Sequence, residues 1–320
     1  MHIPFTKQNI KLYFASLTIY GFGLLLTCIL PYYQKNLQPV TKSILVILYI
    51  IYIFFGAIYY LFLNKQTTTN KPYLILSCVK RNLVEYKQHK TTTVHHHEKT
   101  ALLFMLVKIF FLPLLINFCY NHIQEIPILF DNFTLFHFLL SLLFTIDTFI
   151  FTLGYCTEST KLQNICKSVE PTFFGWFVTL ICYPPFNSII GQYVPWGSND
   201  YATFSNPTLT LLLHIAVIFL LLIYVSASLS LGLKASNLTN RGIVTKFPYN
   251  IIRHPAYASK LSIWWLTLLP NITLPFALGM LFWTIIYLAR AYTEERHLSL
   301  DQDYQTYKQN VKYKFIPKLI

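Results

Sequence analysis

Charged residues are scarce in this chain, 12% of its 320 residues against about a quarter in a soluble globular domain. Beside 54% hydrophobic and 17% aromatic residues, that shortage excludes a water-soluble globule. Acidic side chains are the scarcer sign, 12 Asp and Glu against 25 Lys and Arg. In a soluble protein the resulting +13 would suggest a nucleic-acid partner. Here the collection of basic residues in cytoplasmic loops explains it first, and no nucleic acid is expected. The six cysteines form no CxxC pair and half fall in apolar stretches, so neither a disulfide framework nor a zinc site is expected. No repeat with a period of about 20–50 residues is present, which excludes a solenoid.

What the chain has instead is a series of apolar runs, each able to cross roughly 30 Å of hydrocarbon as a helix. The expected class is all-α, a multi-pass transmembrane bundle of about six spans followed by a helical hairpin and a cytoplasmic tail. Candidate spans are residues 12–30, 43–63, 101–120, 133–155, a proline-interrupted 173–194, and 207–233. The first is too long for a signal-peptide core and reads as a retained span. The last apolar block, 261–289, carries Pro270 and Pro275, which predict a helix-turn-helix hairpin rather than one straight span. Residues 1–233 thus form an N-terminal transmembrane region and 234–320 a C-terminal module. Of the 25 basic residues, 22 fall in segments 1–11, 64–100, 156–172, 234–260 and 290–320. That asymmetry predicts both termini in the cytoplasm.

Three features outside the C-terminal module stand out. The segment 64–100 contains His95, His96 and His97, read as a solvated low-complexity tract because no carboxylate or cysteine shell surrounds them. Lys108 and Asp147 lie within spans, each roughly 11–12 Å from the inner surface, where they could pair and serve helix packing. Pro184-Pro185 breaks an apolar segment, as a kink at a helix end or as irregular backbone beside a cavity. The stretches SVEPT, at 168–172, and CYPPFN, at 182–187, flank that break without an assignable role.

Chemistry concentrates after Asn240. Arg253 and His254 precede Pro255, with Tyr249 and Tyr257 each four residues from Arg253, and Arg290 precedes Glu294 and Glu295 beyond the hairpin. One guanidinium fork, an imidazole, two phenols and two carboxylates at a membrane surface can bind a zwitterionic cofactor. Arginine takes a carboxylate in a bidentate fork, carboxylates take hydroxyls or an amino group, and aromatic faces attract a sulfonium.

At these residues the chain resembles the isoprenylcysteine carboxyl methyltransferase family, within the integral-membrane methyltransferases that include phospholipid methyltransferases. The resemblance rests on Arg241-Gly242, Pro248-Tyr249, Arg253-His254-Pro255-Ala256-Tyr257, Arg290, Glu294-Glu295, Tyr304 and Tyr307, and Ile316-Pro317, in that order over about the last 80 residues. It implies an S-adenosylmethionine-dependent enzyme with a cytoplasm-facing cofactor pocket and an amphiphilic or lipid-linked methyl acceptor drawn from the bilayer. It also implies that Tyr249, Arg253, His254, Pro255, Tyr257 and Glu294 serve the cofactor, while Arg290 and Glu295 bridge cofactor and acceptor as the catalytic pair. On that basis Arg253→Ala and Glu294→Ala should each abolish cofactor binding without unfolding the protein. Phe247 and Ser259 depart from the family pattern, which favours glycine at both places. The rival readings are an NADPH-dependent membrane sterol or enone reductase, which ends in a similar tyrosine-rich basic tail, and a non-enzymatic transporter or lipid-binding protein.

Overall fold

Prolines begin the helices of this protein more often than they break them. Pro39, Pro72, Pro207, Pro255 and Pro275 each stand in a first turn, where the absent N–H is no loss. The computed structural model describes residues 7–62, 70–131 and 134–319. Residues 1–6 of the basic N-terminal segment, Lys65, the threonines at 67–69 and the expected span ends at 63 and 133 lie outside them.

In chain order the helices are α1 (Lys7–Ile29), α2 (Pro31–Asn36), α3 (Pro39–Leu61), α4 (Lys71–Lys87), α5 (His96–Asp131) and α6 (Leu135–Cys156). Then follow strand β1 (Ser168–Val169), α7 (Phe173–Leu180), α8 (Phe186–Gly191), α9 (Pro207–Leu231), strand β2 (Thr239–Asn240), α10 (Pro255–Leu268), α11 (Leu274–Leu298) and α12 (Gln302–Asn310). Among the described residues six helices are long and apolar enough to cross a membrane, and the protein is an all-α multi-pass membrane bundle. Five are α1, α3, α5, α6 and α9, as expected, and the sixth is α11 rather than a helix over 173–194. The predicted hairpin is present: α10 stops in a 3-10 turn containing Pro270, and Thr273 caps α11 by accepting from the N–H of Phe276. The segment read as a low-complexity tract holds α4, whose N-cap Asn70 accepts from the N–H of Tyr73 at 2.8 Å.

Contacts divide the chain into two units, Met1–Asn117 and Phe118–Ile320. In the first, α1 packs on α3 and α4 around buried polar groups. Asn9 donates to the carbonyl of Tyr60, and the Tyr60 hydroxyl meets Ser16 at 2.8 Å and the Asn70 amide at 2.6 Å. Such side-chain bonds join apolar helices that gain little from hydrophobicity inside lipid. The Lys108 ammonium lies over the rings of Phe104 and Tyr20, and Arg81 donates to the buried Glu98 from both terminal nitrogens.

In the second unit α6, α9 and α10 share an apolar core of Leu140, Leu143, Val217, Leu221, Val225 and Ile263. Asp147 is buried here and accepts hydrogen bonds from Ser228 and Tyr224 of α9, which joins α6 to α9. A two-stranded antiparallel ribbon pairs Ser168 with Asn240 and Val169 with Thr239. Arg241, next to β2, is buried and donates to the carbonyls of Asn164, Gly154 and Thr157, so it ties the end of α6 to the loop that follows it. Burial lowers its pKa, partly offset by the nearby Glu158 carboxylate.

The broken segment lies against α11 at two places. At one end Glu170 meets Arg296, and α7 packs on α11. At the other, the Pro195 carbonyl sits where a Cβ on Gly279 would be 2.0 Å away. Those two contacts are about 26 Å apart along α11 at 1.5 Å per residue, and residues 170–195 cover that distance without one continuous helix.

Candidate functional site

The site is built at the start of α10. Pro255 opens the helix, and the backbone just before it pairs with the C-terminal tail. The N–H of Arg253 donates to the carbonyl of Tyr313, and that of His254 to the carbonyl of Lys314, both at 2.9 Å. The Arg253 guanidinium is buried, donating to Glu295 at 2.6 Å and to the carbonyls of Val311 and Lys312 at 2.8 and 2.9 Å. His254 Nε2 lies 3.2 Å from the same Glu295 oxygen, and its ring stacks between Tyr257 and Phe315. Lys314 Nζ lies 3.4 Å from the other oxygen. Tyr304, Tyr307 and Val311 anchor α12 in a small apolar cluster with Tyr249, whose carbonyl accepts from the Tyr307 hydroxyl.

On α11 the residues Arg290 and Glu294 are one turn apart and share a face, whereas Glu295 is about 100° further round. Arg290 and Glu294 therefore line a cavity, while Glu295 faces the tail. The cavity holds about 140 Å³ and is lined from the C-terminal side by Tyr249, Arg253, His254, Tyr257, Arg290 and Glu294. Neither Pro255 nor Glu295 lines it. Glu294 is exposed and accepts from the Tyr257 hydroxyl at 2.8 Å, a bond between α10 and α11 at the solvent-facing rim. Burial, and next the charge of Glu294, hold the Tyr249 hydroxyl well above its usual pKa, so it stays a neutral donor.

Arg290 is a second buried cation of the cavity, beside Arg253. One of its terminal nitrogens donates to Asn237 Oδ1 at 3.2 Å, and the guanidinium lies over the rings of Tyr183, Tyr257 and Tyr287. Its Nε is buried without a hydrogen-bond partner among the described residues. Asn237 is itself fixed by the hydroxyls of Tyr155 and Tyr183.

Several of these residues were not expected from the sequence. Asn237 and Tyr155 carry no motif. Tyr183 and Glu170 belong to CYPPFN and SVEPT, whose only signals were an interrupted apolar run and a lone carboxylate. Tyr183 and Thr179 bring the broken segment into the cavity wall, so the irregular backbone at Pro184-Pro185 stands beside a cavity.

Residues 211–305 match the family described as phospholipid methyltransferase. The match runs from α9 into α12 and includes Arg253, His254, Tyr257, Arg290, Glu294 and Glu295, but stops short of Glu170, Thr179 and Tyr183. No curated protein matches the chain. The protein is thus an integral membrane protein whose C-terminal part is similar to the S-adenosylmethionine-dependent phospholipid methyltransferases, and that part supplies Arg253, His254, Tyr257, Arg290 and Glu294 of the cavity wall.

Proposed function

We propose that the protein is a membrane-embedded S-adenosylmethionine-dependent methyltransferase that acts on a lipid-like or isoprenylcysteine-type acceptor at the cytoplasmic membrane face. One observation carries this reading. Arg253, His254 and Tyr257 from one segment and Arg290 and Glu294 from another converge on a single cavity, and all five lie inside the matched region. The donor set suits a zwitterionic cofactor. The unpartnered Nε of Arg290 can complete a fork to a carboxylate, Glu294 at the rim can accept from hydroxyls, and the rings of Tyr183, Tyr257 and Tyr287 favour a sulfonium.

When bound, S-adenosylmethionine supplies a methyl group activated by positively charged sulfur. The chain's own contribution is placement and dryness. Arg290 orients the ligand from the cavity floor. The Arg253–Glu295 pair and Lys314 hold the tail against α10, so Glu295 acts by positioning, with Pro255 setting the turn. A carboxylate acceptor requires no base, whereas an amine would pass its proton to His254 or Glu294, the cavity's own acceptors. Residues 234–320 form the catalytic module, and 1–233 supply the transmembrane region together with Glu170, Thr179, Tyr183, Tyr224 and Ser228 of the cavity wall. The basic-residue asymmetry supports a cytoplasmic location for both termini.

Calorimetric titration of detergent-purified protein with S-adenosylhomocysteine, and separately with NADP⁺, tests the proposal. Binding of the first alone is expected. Binding of NADP⁺ alone would replace the methyltransferase with a reductase.

A further inference from the structure

Glu170 is the middle residue of SVEPT and lies outside the matched region, yet it lines the cavity. The ribbon puts it there. Val169 pairs with Thr239, and the N–H of Glu170 donates to the carbonyl of Leu238 at 2.7 Å, directly beside Asn237. The residue is 2% exposed. Its Oε1 accepts from Arg296 at 2.6 Å, from the Thr172 N–H at 3.1 Å and from the Thr172 hydroxyl. Its Oε2 is buried and has no partner among the described residues.

The side chain is also held in place. Trp176 donates its indole N–H to the Glu170 carbonyl at 2.8 Å, and a Cβ on Gly175 would lie 2.3 Å from the Glu170 Cγ, so only glycine there leaves room for the carboxylate. A rigid buried carboxylate with one oxygen satisfied and the other open is arranged for a donor that the chain does not supply. Across the same cavity Arg290 is a rigid buried cation with an open Nε. An open anion and an open cation on one cavity wall match the two ends of an α-amino acid zwitterion.

We propose, resting on the methyltransferase reading, that Glu170 binds the α-ammonium group of the cofactor through Oε2, with Arg290 taking the α-carboxylate. The family likeness therefore covers only part of the cofactor site, and the SVEPT segment completes it.

The test compares two probes by calorimetry, S-adenosylhomocysteine, which carries the amino acid end, and 5′-methylthioadenosine, which lacks it. Glu170→Gln keeps the shape and removes the charge. It should weaken S-adenosylhomocysteine at least tenfold and leave 5′-methylthioadenosine within about twofold, roughly 1.4 kcal/mol against 0.4 kcal/mol. Unchanged affinity for the first probe, or equal loss for both, overturns the proposal. Should the glutamine variant fail to fold, Glu170→Asp retains the charge, withdraws it by one methylene, and carries the same expectation. Arg296→Gln is the structural control: it loses the ion pair but keeps the carboxylate, and should retain the difference between the probes. A wild-type protein that binds neither probe would remove the methyltransferase reading itself, an outcome distinct from binding that is indifferent to Glu170.

Discussion

The guanidinium of Arg253 and the carboxylate of Glu295 meet at 2.6 Å with both side chains less than a tenth exposed, and the same guanidinium binds the carbonyls of Val311 and Lys312. This is a three-way junction of α10, α11 and the tail. Removing one partner of a buried ion pair typically costs about 3–5 kcal/mol, because the other charge is left uncompensated. Arg253→Ala should therefore lower the melting temperature and expose residues after 310 to protease, besides weakening cofactor binding. A variant with wild-type melting and a protected tail would show that the junction is held by other contacts.

Glu294 should behave differently, although it adjoins Glu295. It is exposed and accepts a hydrogen bond from the Tyr257 hydroxyl. Glu294→Ala should leave thermal stability within about 0.5–1.5 kcal/mol of wild type. Affinity for S-adenosylhomocysteine should fall at least tenfold. Retained affinity would remove Glu294 from the site.

Gly279 marks the close approach of the broken segment to α11. A methyl group there would lie 2.0 Å from the Pro195 carbonyl oxygen, which is backbone and cannot rotate away. Gly279→Ala should destabilise the second unit by about 1–3 kcal/mol through overpacking, despite alanine's better helix propensity. A melting temperature at or above wild type would mean that residues 192–197 yield freely.

The junction of α12 with β1 should depend on pH. Burial raises the Asp301 pKa, but hydrogen bonds from Asn240, Lys167 and the Asp303 N–H outweigh it and bring the carboxyl below its ordinary 3.8. Stability from this group is thus present above pH 3.8 and lost as pH falls through the lowered value. Lys167 is shifted upward from 10.5, chiefly by Asp301, so its share is present below pH 10.5 and lost above it. In melts across pH, the gap between wild type and Asp301→Asn should be flat near neutrality and should close in acid. A gap that persists once the carboxyl is protonated would place the effect in the α12 cap instead.

Legibility in the sequence followed the range of the interactions. Pro270 and Pro275 announced the hairpin because proline acts within one turn of its own position, and five of the six membrane-length helices were apparent as apolar runs. The span at 173–194 misled because its composition is apolar throughout, while Pro184 and Pro185 divide it into α7 and α8. Arg290 and Glu294 could be placed on one face by spacing alone. That Glu295 turns to Arg253 and the tail could not, since the partner is 42 residues away.

Composition and hydropathy alone determined that the chain spans a membrane several times, and the order of short motifs after Asn240 pointed to the candidate site. Both are local properties: burial in lipid depends on each segment's own side chains, and a motif is carried by residues within a few turns of one another. Only the tertiary structure decided which charges are spent on holding the tail and which remain open to a cavity. It also decided that SVEPT and CYPPFN stand beside the motif residues. The physical reason is that the β1–β2 ribbon and the packing of α7 on α11 are pairings across 70 to more than 100 residues, with no periodicity to announce them.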